Sequence, residues 1–240
     1  MVVTLTIIRY PKRFTYFALF AMAVHRFPLW FNKNISFFKL MGCGKNGTFD
    51  KNPDWQQWGI FAIFNDAPNP DLLRKDEIIK TLYGPSIFKW IQFFNCETWT
   101  IFLQPIEGHG TWDGKQPFGE ISKNTAYNGP IAILTRATIR ISKLKAFWQN
   151  VNGVAVQMAG ADGLITSIGI GEIPFIKQAT FSIWQSKEAM KQFAYQMHQH
   201  TEVIKKTRKE NWYSEDMFMR FVPLKTIGTI NGIDPLEGKL

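Results

Sequence analysis

From residue 131 to residue 184 the chain reads IAILTRATIRISKLKAFWQNVNGVAVQMAGADGLITSIGIGEIPFIKQATFSIW, and this stretch decides the fold. Ile131 to Ile139 alternates with the period of a strand, and Lys143 to Met158 spaces Leu144, Phe147, Trp148, Val151 and Val154 with the period of a helix. Leu164 to Ile170 and Ala179 to Trp184 return to strand character. Beyond them the pattern predicts a long helix from about Lys187 to Lys209 and a last strand from Met219 to Leu224. The order is βαββαβ. That is the ferredoxin-like split unit, a four-stranded antiparallel sheet with two helices on one face.

The first half can be laid on the same template: strand Thr4 to Tyr10, helix Phe14 to Val24, strands Phe37 to Cys43 and Trp58 to Phe64, helix Asp71 to Tyr83, strand Trp99 to Pro105. Residues 59–66 (GIFAIFND) then fill the slot of residues 179–186 (ATFSIWQS), each a strand ending just before a helix. Residues 107–128, rich in Gly, Asn, Ser and Thr, read as the linker between an N-terminal half, 1–106, and a C-terminal half, 129–240. The fold class expected is α+β, two tandem ferredoxin-like units packed sheet to sheet as a pseudo-symmetric barrel. The joined sheet faces would then hold a ligand.

The 240 residues carry 28 Lys and Arg against 19 Asp and Glu, and 45% are apolar, which excludes a disordered chain. Cys43 and Cys96 are too few for a disulfide framework and lack zinc spacing, so a reducing, cytoplasmic setting is expected. The net charge of +9 comes with no nucleic-acid motif, and its densest run, residues 205–209, reads as a solvated helix face. Nucleic acid is therefore not expected as a partner. Phe14 to Val24 is too short to span a bilayer, which takes roughly 20 residues, and the β-branched Val2 to Ile8 before it argues against a signal peptide. With Pro28-Leu29-Trp30-Phe31 it could touch the inner face of a membrane, although burial against a sheet is the commoner fate of such a helix.

Side chains alternate across a strand, so each strand can be sorted into a helix-facing row and a barrel-facing row. One row of the strand from Ile131 is Ile131, Ile133, Thr135, Ala137 and Ile139, which reads as core; the other carries Arg136 and Arg140 toward the barrel interior. In the strand ending at Trp184, Ala179, Phe181 and Ile183 are expected to face the helices, leaving Gln178, Thr180, Ser182 and Trp184 for the interior. Ser167, Gly169 and Gly171 form another row of small residues. Such rows cannot fill the space between sheets, so a solvated cleft or a ligand pocket is implied. Arg140, at a strand end, can simply reach solvent; Arg136, mid-strand, needs an anionic partner or a ligand.

On the long helix, Met190, Phe193, Ala194, Met197, Thr201 and Ile204 form one apolar stripe, and at about 100° per residue His200 falls roughly 40° from its centre. His200 suits either a hydrogen-bonded core histidine or a metal ligand. No zincin, nucleophile-elbow, phosphate-loop or dinucleotide motif is present, and His25 and His109 have no partner at metal-binding spacing. A lone inward histidine facing an apolar pocket with arginines is the arrangement haem requires, with imidazole on the iron and cations near the propionates.

Several motifs in order resemble the spheroidene monooxygenase family of carotenoid ketolases. They are residues 134–140 (LTRATIR), 145–148 (KAFW), 167–174 (SIGIGEIP), 178–184 (QATFSIW), 212–215 (WYSE) and 218–221 (FMRF), together with 38–44 (FKLMGCG) and 99–103 (WTIFL) in the first half. The resemblance covers nearly the whole chain. It implies a haem-containing oxygenase that hydroxylates an acyclic carotenoid or similar polyene and then forms a ketone near the chain end, with electrons from an external donor. His200 would be the axial ligand. Arg136 or Arg140 would polarise bound oxygen or pair a propionate, and Thr180 and Ser182 would donate hydrogen bonds on the open side of the iron. Ser167, Gly169, Met197 and Trp184 would complete the haem contacts. Two other readings compete: a cofactor-independent monooxygenase or isomerase on the same scaffold, and a non-catalytic haem or carotenoid carrier.

Overall fold

The computed structural model describes residues 1–45, 52–66, 69–72, 74, 77–121, 125–196, 207 and 209–240. Its eight strands are β1 (Val2–Arg9), β2 (Ile35–Gly44), β3 (Pro53–Phe64), β4 (Glu97–Gly110), β5 (Ile131–Ile139), β6 (Leu164–Ile173), β7 (Lys177–Trp184) and β8 (Tyr213–Gly228). The described helices are α1 (Thr15–Val24), α2 (Arg26–Phe31), α3 (Ile78–Tyr83), α4 (Pro85–Phe93), α5 (Leu144–Ala159) and α6 (Lys187–Gln196). The fold class is the expected one, an antiparallel α+β barrel of eight strands.

Two compact units make up the chain. One holds Met1–Gly42, Asp54–Gln104 and Pro223–Leu240; the other holds Cys43–Pro53 and Pro105–Val222. They are not contiguous halves parted by a linker at 107–128. The reason lies in β4 and β8, which at 14 and 16 residues are long enough to give one part to each unit. Within the first unit the strand order is β2-β3-β1-β4, and within the second β6-β7-β5-β8, which is the ferredoxin-like order twice.

In the first unit the helix-facing side of the sheet is packed with hydrocarbon. Ile60, Ala62 and Phe64 of β3 and Phe102 of β4 lie in one buried cluster with Ala18 and Ala21 of α1, Leu82 of α3, and Ile87 and Ile91 of α4. Each buried large aliphatic side chain there contributes about 1.5–3 kcal/mol relative to exposure. The polar groups on the same side are closed off: the Tyr83 hydroxyl bonds to Thr4 at 2.9 Å and to Thr6 at 2.8 Å, and Thr6 meets Thr100 at 2.8 Å. α4 is a helix the apolar pattern does not separate from α3. Gly84, at φ +89°, turns the chain between them, and Pro85 sits at the first helical position, where its missing N–H costs nothing.

The second unit has smaller clusters. Ile131, Ile133 and Trp184 pack with Met158 of α5 and Met190 of α6, while Ile139, Phe147, Trp148 and Trp212 form a separate group. α6 is described as far as Gln196; the continuation predicted to Lys209, with Met197 and His200, lies outside the described residues.

Candidate functional site

Strand pairing in the second unit decides which side chains share a face. β5 pairs with β7 so that Ile133 is opposite Ser182 and Thr135 opposite Thr180; β6 pairs with β7 so that Ser167 is opposite Ser182 and Gly169 opposite Thr180. On the other flank Arg220 is opposite Ile133, and Phe218 opposite Thr135. Directly paired residues point to the same side of a sheet. Two rows therefore cross four strands: Phe218-Thr135-Thr180-Gly169 and Arg220-Ile133-Ser182-Ser167. They lie on the helix-facing side, because Ile133 and Trp184 pack there with the α5 and α6 methionines.

Ile133, Gly169, Thr180 and Ser182 of these rows are buried, and two polar positions on the face stand out among the described residues. Thr135 is exposed in mid-strand, and the buried Thr180 Oγ1 has no hydrogen-bond partner among the described residues. Ser182 accepts a hydrogen bond from Trp184 Nε1 at 3.0 Å. A cationic rim lies beside the rows. Glu107, buried on β4, takes hydrogen bonds from Arg220 and from Lys187 Nζ at 3.0 Å, and Lys187 also donates to the Thr125 carbonyl at 3.0 Å. Two cations share one carboxylate, which leaves a net positive charge next to this face. Burial lowers the Arg220 pKa, and its Nε has no hydrogen-bond partner among the described residues. Its guanidinium stands 4.8 Å over the Phe218 ring, on which the exposed His109 also stacks at 5.8 Å.

Polarity placed Arg136, Thr180, Ser182 and Trp184 together on the barrel-facing side; the register keeps Arg136 there but turns Thr180, Ser182 and Trp184 toward the helices. Arg136 is paired with Ala179 in β7, so it points to the side opposite Thr180 and Ser182; Trp184 faces the helices. There Arg136 is buried and enclosed by acids: Glu215, Asp113 at 3.4 Å and Glu172 at 3.7 Å, with the Trp112 ring 5.5 Å away. Burial alone would raise the Glu215 carboxyl. Hydrogen bonds from the Gly114 amide, Arg136 and Thr111, with the charge of Arg136, outweigh it and hold the pKa at about 2. The mid-strand arginine thus has its anionic partners within the protein. Arg140 is exposed just past the end of β5, and its backbone N–H bonds the Trp212 carbonyl at 2.8 Å.

Ser167, Gly169, Thr180 and Ser182 do share one face, together with residues the sequence pattern did not single out: Thr135, Phe218, Arg220 and His109. Gly108 and Gly110 suggest a linker, but they are glycine for close approach to β8. A Cβ at Gly108 would meet the Met219 side chain and, at 2.7 Å, the Phe218 carbonyl; at Gly110, with φ +97°, it would meet the Asp216 carbonyl. Among the described residues no group of three or more His, Cys, Asp or Glu could hold a metal ion.

No family model matches the chain. Over 238 residues it is 34% identical to the spheroidene monooxygenase of Cereibacter sphaeroides, an alignment covering 98% of this chain and 70% of that protein. To the spheroidene monooxygenase of Rhodobacter capsulatus it is also 34% identical, over 221 residues, 91% of this chain and 88% of the relative. Among solved structures, an aldoxime dehydratase in complex with butyraldoxime has a TM-score of 0.60 over 98% of this chain and 84% of that one. At 7% identity this likeness shows the fold alone.

Proposed function

The chain belongs to the spheroidene monooxygenase family, and on that premise we propose that it is a haem-dependent monooxygenase acting on an acyclic carotenoid or similar polyene, by hydroxylation and then ketone formation. One observation supports the assignment to a site: on the helix-facing side of the second unit's sheet Thr135 is exposed and Thr180 Oγ1 lacks a partner among the described residues. A planar cofactor needs a flat floor of small residues, apolar walls and cations for its carboxylates. Gly169, Ser167 and Thr135 would form the floor, Trp184, Phe218 and Met190 the walls, and Arg220 with Lys187 would supply the positive charge.

When bound, haem supplies the activation of dioxygen. The overall monooxygenation would put one oxygen atom into a substrate C–H bond and release the other as water, with two electrons and two protons from a separate donor. The chain's own groups orient and exclude. Thr180 and Ser182 would offer hydroxyls to the bound group, Arg220 would pair one of its carboxylates, and His109 would offer an imidazole for proton transfer beside Phe218. His200, outside the described residues, would supply an imidazole to hold the iron.

The test is an absorption spectrum of the purified protein, with turnover of an acyclic carotenoid under reductant and oxygen. A Soret band that His200→Ala loses and a hydroxylated product are expected. Full turnover without haem or metal, or tight polyene binding without product, would overturn the reading.

A further inference from the structure

The first unit carries an apolar surface that its own core does not use. α1 is hydrophobic all round, yet of its ten residues only Ala18 and Ala21 are buried. Tyr16, Phe17, Leu19 and Phe20 of α1 and Phe27, Trp30 and Phe31 of α2 are exposed, with Tyr16 at 85% and Trp30 and Phe31 at 80%. Phe93 at the end of α4 continues the surface, because its ring and that of Phe17 both contact Phe94, at 4.9 Å and 4.7 Å. An all-apolar helix in a folded protein is normally buried; an exposed aromatic patch of this density marks a contact surface.

The charge around it says what covers it. Residues 1–49 contain Arg9, Lys12, Arg13, Arg26, Lys33, Lys39 and Lys45 and no Asp or Glu, in a chain whose overall ratio is 28 to 19. Lys12 and Arg13 precede α1, Arg26 opens α2, Lys33 follows it, and all four are exposed. A second copy of this chain would bring the same positive charge to the contact. Trp and Tyr among bulky apolar residues, flanked along the chain by Lys and Arg, match the interfacial layer of an anionic bilayer. No described helix is long and apolar enough to cross a membrane, so this contact lies in the interface plane.

We propose that α1 and α2 form an interfacial anchor that docks the protein on an anionic phospholipid surface, with Phe20, Phe27, Trp30 and Phe31 entering the acyl boundary and Arg13 and Arg26 meeting phosphates. The anchor is independent of haem. That it delivers the protein to a polyene dissolved in the membrane rests on the proposed function.

Full-length protein is floated with carotenoid-free vesicles of phosphatidylcholine, with and without about 30% phosphatidylglycerol. Binding about ten-fold tighter to the anionic vesicles is expected, weakening with salt as the Debye length falls from about 10 Å at 0.1 M to about 3 Å at 1 M. Phe27→Ser with Trp30→Ser and Phe31→Ser should lower binding at least about ten-fold, and Arg13→Glu with Arg26→Glu should remove the preference for anionic lipid. The sites are exposed, so circular dichroism and Tm should match the parent. If the triple variant does not fold, quenching by brominated lipid, present in the parent and lost in Trp30→Phe, reads the same contact. Equal binding to both vesicles, triple-variant binding equal to the parent, or a dimer that ignores vesicles and is split by the triple substitution would each overturn the anchor. Because the vesicles hold no carotenoid, a failed turnover assay leaves this result standing.

Discussion

Thr6 and Thr135 stand at the same place in the two units, each mid-strand on the helix-facing side and each paired across the sheet with its unit's inner neighbour strand: Thr6 with Ile60, Thr135 with Thr180. Thr6 is fully buried, its hydroxyl held by Tyr83 and Thr100; Thr135 is exposed. The surrounding positions differ in the same sense, Ile60, Ala62 and Phe64 in β3 against Thr180, Ser182 and Trp184 in β7. Among the described residues, one architecture thus closes this position with hydrogen-bonded side chains in the first copy and leaves Thr135 exposed in the second. On the proposed function, this difference is assigned to a ligand.

The largest effect should come from the other face of the second unit, where polarity serves the scaffold. Arg136→Ala removes the cation shared by Glu215, Asp113 and Glu172 and should cost about 3–5 kcal/mol of stability in a denaturant titration. On the proposed haem function, the variant refolded at low temperature should keep the Soret band. Next is Thr135→Trp, which fills the exposed position as Tyr83 fills the first unit. Turnover should fall about 100-fold, about 2.7 kcal/mol in transition-state terms, and the Soret band with it. Tm should hardly move, since the residue is exposed. A normal rate in that variant would mean that the difference between the two units has nothing to do with the ligand.

Much of the fold was legible in the sequence, because strand and helix periods are local. The βαββαβ order and β5, β6 and β7 follow directly from alternation and spacing. The site was legible only in part. Each strand displays two rows, but which row of β7 goes with which row of β5 depends on register, and polarity pointed to the wrong match. Arg136 reads as a ligand-binding group until Asp113, Glu172 and Glu215 are brought to it from 23, 36 and 79 residues away in sequence. Starting the last strand at Met219 rather than Tyr213 hid the alternation that separates Phe218 and Arg220 from Met217, Met219 and Phe221. His109 was lost to the glycines on either side of it. Met197 and His200 lie beyond the described part of α6.

A smaller effect sharpens the comparison from the closed side. Tyr83→Phe keeps the ring and removes the hydroxyl, leaving Thr4 Oγ1 buried with its side-chain partner gone while Thr6 retains Thr100. Stability should fall by about 2 kcal/mol, the cost of one buried unsatisfied hydroxyl. The Soret band should be unchanged. A shifted band would mean that the first unit's packing is not independent of the ligand face.

The smallest effect concerns pH and separates the units by window. His25, at the end of α1, is buried edge-on to Trp90 at 5.5 Å, its Nε2 has no partner among the described residues, and burial lowers its pKa from 6.5 to about 4. The unfolded chain therefore binds a proton below pH 6.5 that the folded one refuses, so stability declines as pH falls from 6.5 toward 4. Glu215 in the second unit, held at about 2 against an ordinary 4.5, has the same sign in a lower window, from about 4.5 to 2. Denaturant midpoints against pH should show two successive losses. His25→Leu should flatten the first, on the order of 1 kcal/mol at pH 5.5, and leave the second, whereas Glu215→Gln should do the reverse. If His25→Leu left the upper loss intact, the acid sensitivity above pH 4 would belong to some other group, and the closed unit would not be the one that senses it.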